Sequence, residues 1–257
     1  MKFGIKLWSN QPQPLDKAIQ LIKDGIFDYI ELYVVPESTI EPFKNTPVNI
    51  PINIHSPHGE HGTNIGDHTA YNQTSKNIKQ SIRWANELNS EYIILHSGYG
   101  SLDRAINFLQ DLEYPETRFV IENMPLLGLN NEQMNGYSPR HIKKLLSEKT
   151  CVNKLCLDFG HAIKAAYSIG IPYKEYLQLF SQFNPQIFHV SDGLIDKEMD
   201  SHMSIGNGNY DMKFIADYII NYGVFESKVT LETPTYGDTI GNAVKNLNAF
   251  KEYLNVK

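Results

Sequence analysis

Short apolar, β-branched runs recur along the chain, each followed by a polar loop and then by apolar positions at helical spacing. Eight runs can be read: Lys2–Leu7, Tyr29–Tyr33, Ile52–His55, Tyr92–His96, Phe119–Glu122, Leu155–Asp158, Ile187–Val190 and Val229–Glu232. Between them, Ser75–Leu88 places Ile78, Ile82, Ala85 and Leu88 on one helical face, and Asp211–Tyr222 and Ala243–Leu254 are comparably periodic. Buried strands alternating with amphipathic helices are the sign of βαβ units on a parallel sheet covered on both faces. Eight such units close naturally into a barrel. An open doubly wound sheet would leave two edge strands and normally carries a glycine-rich phosphate turn after its first strand. Here that segment reads Trp8-Ser9-Asn10-Gln11-Pro12. The expected fold is therefore α/β, a single (β/α)8 TIM barrel over residues 1–257, with no linker or charge block dividing it.

Length agrees, since 257 residues is typical of one such barrel. The N-terminal apolar run is too short for a signal peptide, and no stretch approaches the roughly 18 apolar residues that span a bilayer. Cys151 and Cys156 read as reduced core thiols of a cytoplasmic protein. The formal charge of −6 argues against a polyanionic partner only until bound cations are considered, because three divalent ions would bring it to about zero.

The chemistry lies where the runs end. From the third onward they close on His55, His96, Glu122, Asp158, His189 and Glu232. In a (β/α)8 barrel the C-terminal strand ends surround one mouth, where active sites are built. Neutral imidazole and carboxylate are ligands for zinc, manganese and iron. Any one of the six has a plainer explanation, Asp158 for instance as a helix cap. Six consecutive strands ending this way by packing preference is implausible, and burying so many ionisable groups without counter-ions would be costly. His161 follows Asp158 by three residues, and Asp200 and His202 sit in the loop after the seventh run, before the turn-forming Gly206-Asn207-Gly208. Nine candidates suit three ions with bridging carboxylates.

These segments resemble the endonuclease IV family (AP endonuclease family 2) within the xylose isomerase-like barrel superfamily. The resemblance is carried by Ile54-His55-Ser56-Pro57, Leu95-His96-Ser97-Gly98, Ile121-Glu122-Asn123, Leu157-Asp158-Phe159-Gly160-His161-Ala162, Phe188-His189-Val190-Ser191-Asp192, Asp200-Ser201-His202-Met203 through Gly208, and Leu231-Glu232-Thr233-Pro234, in the family's order. It implies a trinuclear zinc site. His55 and His96 would hold one ion, with Glu122 bridging to a second held by Asp158, His189 and Glu232, and His161, Asp200 and His202 would hold the third. It also implies phosphodiester hydrolysis by metal-activated hydroxide, with DNA bearing abasic sites as one possible partner, a small phosphodiester or sugar phosphate otherwise, and no membrane. His58, Asn123 and Asp192 are the expected substrate contacts.

Two departures bear on the substrate. The loop after the second run, Val34-Val35-Pro36-Glu37-Ser38, has no Arg or Lys, and His58 replaces the family's aromatic wedge. Of the four arginines, Arg83, Arg104 and Arg118 fall on expected helices or near a strand start, and Arg140 is the fourth. Gripping a nucleic-acid backbone normally needs several such contacts. A second reading is a sugar isomerase or epimerase of the same superfamily. There one Mn2+ or Mg2+ held by Glu122, Asp158, His189 and Glu232 would polarise a carbonyl while Glu122 and Glu232 act as the catalytic proton carriers. The presence of His55, His96, His161, Asp200 and His202 favours hydrolysis.

Overall fold

The computed structural model describes residues 1–46, 50–112, 119–147, 150–224, 226–234 and 239–255. Arg118 lies outside them. Among the described residues, the strands are β1 (Lys2–Trp8), β2 (Tyr29–Tyr33), β3 (Ile52–His55), β4 (Ile93–His96), β5 (Phe119–Glu122), β6 (Val152–Asp158), β7 (Ile187–Val190) and β8 (Lys228–Leu231). They pair in parallel in chain order, and β8 returns to β1 to close the barrel. The helices are α1 (Leu15–Lys23), α2 (Glu41–Lys44), α3 (Tyr71–Glu87), α4 (Leu102–Gln110), α5 (Pro139–Leu145), α6 (Phe159–Ile169), α7 (Tyr173–Gln178), α8 (Met212–Tyr222) and α9 (Thr239–Asn255). No helix among the described residues is long and apolar enough to cross a membrane.

Alternation along the strands divides the interior in two. In β2, Ile30 and Leu32 join the large core between sheet and helices, whereas Tyr29, Glu31 and Tyr33 alternate with them, so the run looks continuously buried. A second, smaller cluster of Tyr92, Ile94, Val120, Cys156 and Ile187 fills the barrel itself. Gly4 matters here, because a Cβ would collide with the ring of Tyr29, whose hydroxyl lies 2.9 Å from Thr230 Oγ1. Above this plug the inward positions become polar.

Observed boundaries depart from expectation where pairing or capping adds residues. β6 begins at Val152, three residues before the apolar run, since Val152 and Lys154 pair with β5 across a register shift. Asp211 caps α8 through the Phe214 amide rather than belonging to it. The loops after β3, β4 and β5 interlock: Asn64 Oδ1 accepts from the amides of Gly66 and Tyr99, and the Asn135 amide donates 2.7 Å to Gly98 O. The Cys151 and Cys156 thiols are free.

Candidate metal centre

All nine expected ligands converge at the C-terminal mouth, in three touching groups. In the first, His55 Nε2 and His96 Nε2 each lie 3.2 Å from Glu122 Oε2. The other oxygen of Glu122 faces the second group, 3.3 Å from His189 Nδ1. Around the same nitrogen lie Glu232 Oε1 at 3.0 Å and Asp158 Oδ2 at 4.0 Å. In the third group Asp200 Oδ2 sits 3.1 Å from His202 Nε2 and 3.8 Å from His161 Nε2.

Four of the rings are aimed by the nitrogen that faces away from their group. His55 Nδ1 is 2.9 Å from Ser56 O, His161 Nδ1 is 2.9 Å from Asn123 O, and His202 Nδ1 is 2.9 Å from Glu232 O. In the neutral ring, an N–H on that side donates to the carbonyl and leaves Nε2 as the lone-pair atom a metal would use. His189 differs: its Nε2 meets a carboxylate, Glu31, at 3.1 and 3.2 Å. A carboxylate behind an imidazole raises its basicity as a ligand.

The local backbone serves the same arrangement. Asp158 does cap α6, accepting the His161 amide at 2.6 Å through Oδ1, which leaves Oδ2 turned to the second group. The cap and ligand readings of this residue are compatible. At Gly160 a Cβ would lie 3.0 Å from Asp200 Oδ2 and 3.2 Å from Asp158 Oδ1, so only glycine lets the two carboxylates approach the start of α6 freely. His202 adopts a left-handed φ of 41°, a strained state that a functional position can maintain. Lys164 of α6, fully buried, donates to the carbonyls of Leu194 and Lys197 and ties down the loop that carries Asp200.

The expected substrate contacts divide. His58 stacks on His96, ring centroids 5.2 Å apart at 10°, beside Tyr33 and His61. Asn123 instead clamps Asp158, accepting its amide at 2.7 Å and donating to its carbonyl at 2.9 Å. The Asp192 carboxylate accepts the amides of Gly193, Gly206, Gly208 and Tyr210. Both side chains are buried and hold backbone around the site. In the loop after β3, His68 Nδ1 lies 2.9 Å from Arg104 Nη1.

Two residues at the floor of the mouth were not expected from the sequence. Lys6 of β1 and Glu31 of β2 are register partners, with Lys6 Nζ 3.2 Å from Glu31 Oε1 and in contact with Glu232 Oε1. Glu31 also accepts from the Thr230 hydroxyl at 2.7 Å. The only signal available was a charged residue inside each of two mostly apolar runs.

The sequence pattern of the xylose isomerase-like TIM barrel matches residues 27–253, nearly the whole chain. The chain belongs to the xylose isomerase-like TIM barrel family. Over its full length it is 24% identical to the uncharacterized protein MJ1311 of Methanocaldococcus jannaschii, covering 90% of that protein. Among solved structures it resembles a D-tagatose 3-epimerase-like protein, with a TM-score of 0.73 at 22% identity over 99% of this chain and 97% of the other. It resembles endonuclease IV from Thermus thermophilus equally, with a TM-score of 0.74 at 17% identity and 99% of both chains covered. At such identities the likeness establishes the fold.

Within this xylose isomerase-like barrel, the mouth carries an excess of negative charge. Burial together with Glu122, Asp200 and Glu232 pushes the Asp158 carboxyl up to about 6, against the pull of His161. Burial would make His161 a weaker base, yet Asp158, Glu122 and Asp200 overcome it and raise the ring to about 10. His202 rises in the same way to about 9, with Asp200 the chief partner. Despite burial, Glu31 is held down at about 2 by His189 and Lys6. Burial and the neighbouring His96, His55 and Lys6 depress His58 to about 2, which leaves its ring neutral.

Several features fit divalent cations. The donor atoms of His55, His96 and Glu122 lie within 4.8 Å of one another, as do those of His161, Asp200 and His202, and of Glu122, Asp158 and His161. Asp200 Oδ2 is buried without a hydrogen-bond partner. The carboxylates that raise His161 and His202 would equally favour a cation at these rings, in competition with the proton. The groups could hold metal ions, with Glu122 shared between the first two.

Proposed function

We propose that this protein is a metal-dependent phosphoesterase that binds up to three divalent ions, zinc foremost, and acts on a small phosphodiester. The third group carries the reading: His161, Asp200 and His202 are assembled beside the other two groups, with the buried Asp200 Oδ2 set between the two imidazoles. Isomerisation with one metal has no use for it. Bound divalent ions would supply a water of lowered pKa as nucleophile and charge to stabilise the leaving oxygen. The chain's own part is to hold the ligands in fixed tautomers through Ser56, Asn123 and Glu232 carbonyls, and to carry Glu122 across two groups. Stacked on His96, the neutral His58 ring and the adjacent Tyr33 offer a flat wall for a sugar or base. Arg83 and Arg140 lie on α3 and α5, and Arg104 pairs with His68, which supports a small substrate over a DNA duplex.

A sugar epimerase is the second reading. It is favoured by Glu122 Oε1 and Glu232 Oε1 flanking His189 Nδ1 at 3.3 and 3.0 Å, the pair of carboxylates that two-sided proton transfer requires. One set of measurements separates the two. Protein purified without added metal is analysed for zinc and manganese, then assayed on bis(p-nitrophenyl) phosphate, on a duplex with one abasic site, and on ketohexoses. Near three zinc ions and chelator-sensitive phosphodiester cleavage are expected. A single exchangeable manganese with ketohexose epimerisation would overturn the hydrolase. Asp200→Ala should remove one ion per chain and lower cleavage more than 100-fold, whereas normal turnover in that variant would refute the role of the third group.

A further inference from the structure

We infer that Lys6 is a built-in competitor for the second metal position, anchored by Glu31, and that this pair sets how tightly the group of Glu122, Asp158, His189 and Glu232 takes its ion. The inference rests on the metal-site reading above and adds two positioning residues to it. Lys6 leaves only 8% of its side chain exposed and Glu31 none, so neither is held in place by solvent. The Lys6 ammonium contacts Glu232 Oε1, the same oxygen that lies 3.0 Å from His189 Nδ1. Its other partner, Glu31, stands behind His189 at 3.1 Å. Donor atoms of Glu31, His55, His189 and Glu232 all lie within 4.8 Å of one another, and the ammonium is seated against this cluster.

A cation already resting on a ligand oxygen must release it before another cation can use it. The two positive charges then repel across a low-dielectric floor. Glu31 decides how readily the release occurs. With Glu31 present, Lys6 retains a buried carboxylate partner after it leaves Glu232. Without Glu31 it would remain on Glu232. The pair therefore moderates one binding position while leaving His161, Asp200 and His202 outside its reach.

Removing Lys6 alone would leave the buried Glu31 with His189 as its one ionic partner among the described residues, a change that can unfold a protein. The test therefore uses Glu31→Gln and the double variant Lys6→Met/Glu31→Gln. The double variant deletes equal and opposite charges, and Gln keeps an acceptor oxygen for the Thr230 hydroxyl. Chelator-stripped wild type and both variants are titrated with Zn2+ by calorimetry. Glu31→Gln should weaken one binding step at least tenfold. Adding Lys6→Met should reverse that loss and tighten the same step at least tenfold beyond wild type, with the remaining steps within about threefold. A double variant that binds no tighter than wild type would overturn the inference, because a purely structural ion pair gives shifts of one sign. If wild type and variants all bind no zinc or manganese, the metal-site reading itself falls, and this inference with it.

Discussion

Gly160 shows how narrowly one residue can bound the site. A methyl group there would press on Asp200 Oδ2 from 3.0 Å, while the backbone of α6 would accept alanine readily. Gly160→Ala is expected to leave the melting temperature of the metal-free protein unchanged or slightly higher, since alanine is the better helix former by up to about 1 kcal/mol. The same variant should lose affinity for one ion by about tenfold, corresponding to about 1.4 kcal/mol. Unaltered zinc stoichiometry and affinity would show that Asp200 is free to yield. Asn123 makes the complementary case. Its amide satisfies both the N–H and the C=O of Asp158 in a fully buried position. Asn123→Ala should therefore cost about 3 kcal/mol in urea unfolding, from two orphaned backbone groups. A loss below about 1 kcal/mol would contradict the clamp.

At the scale of elements, the β5–β6–α6 unit couples folding to protonation. His161 stands in the first turn of α6, and Asp158, Glu122 and Asp200 raise it to about 10 against the burial that opposes it. Because the folded value lies above the unfolded value of about 6.5, its stabilisation is full below pH 6.5. It is lost progressively as pH rises from there through about 10. Chelated protein should thus show a melting temperature that falls across this window. Protein loaded with zinc, whose binding requires the neutral ring, should lose His161's share of that slope and release protons as it loads. Calorimetry in buffers of different ionisation enthalpy measures the proton count, and zero release at pH 8 would contradict a charged His161. The helix is legible in the sequence as an apolar stretch after Asp158. Its use of Asp158 as cap and candidate ligand together is not, because that depends on which carboxylate oxygen turns inward.

Closure of the barrel is the event at the scale of the whole molecule. It brings side chains from β3 through β8 to one mouth, so the ion-binding free energy should appear as global stability. Free zinc at 100 times its dissociation constant adds about 2.7 kcal/mol per ion. A chain of this size should respond with about 5–10 °C in melting temperature for each ion. Chelator that leaves the transition in place would argue against metal at the mouth. A mouth with few cationic side chains also predicts that substrate affinity changes little between 50 and 200 mM salt, where a DNA-gripping protein would weaken steeply.

Sequence alone determined the repeating βα units and the closed fold they imply, and it placed six of the nine candidate ligands at the mouth, because each is a matter of period or of residues at strand ends. A strand-end residue inherits its place from the architecture, so its position can be read without coordinates. Lys6 and Glu31 could not be read in that way. Each lies inside an apolar run, and whether it points to the helices or to the barrel axis depends on strand phase, while its partners are 25 to more than 200 residues away. Asn123 and Asp192 belong with them: their residue types suit substrate contact or backbone support equally. Only packing showed the backbone they hold, since buried amide and carboxylate groups must bond to whatever polar groups the fold brings beside them.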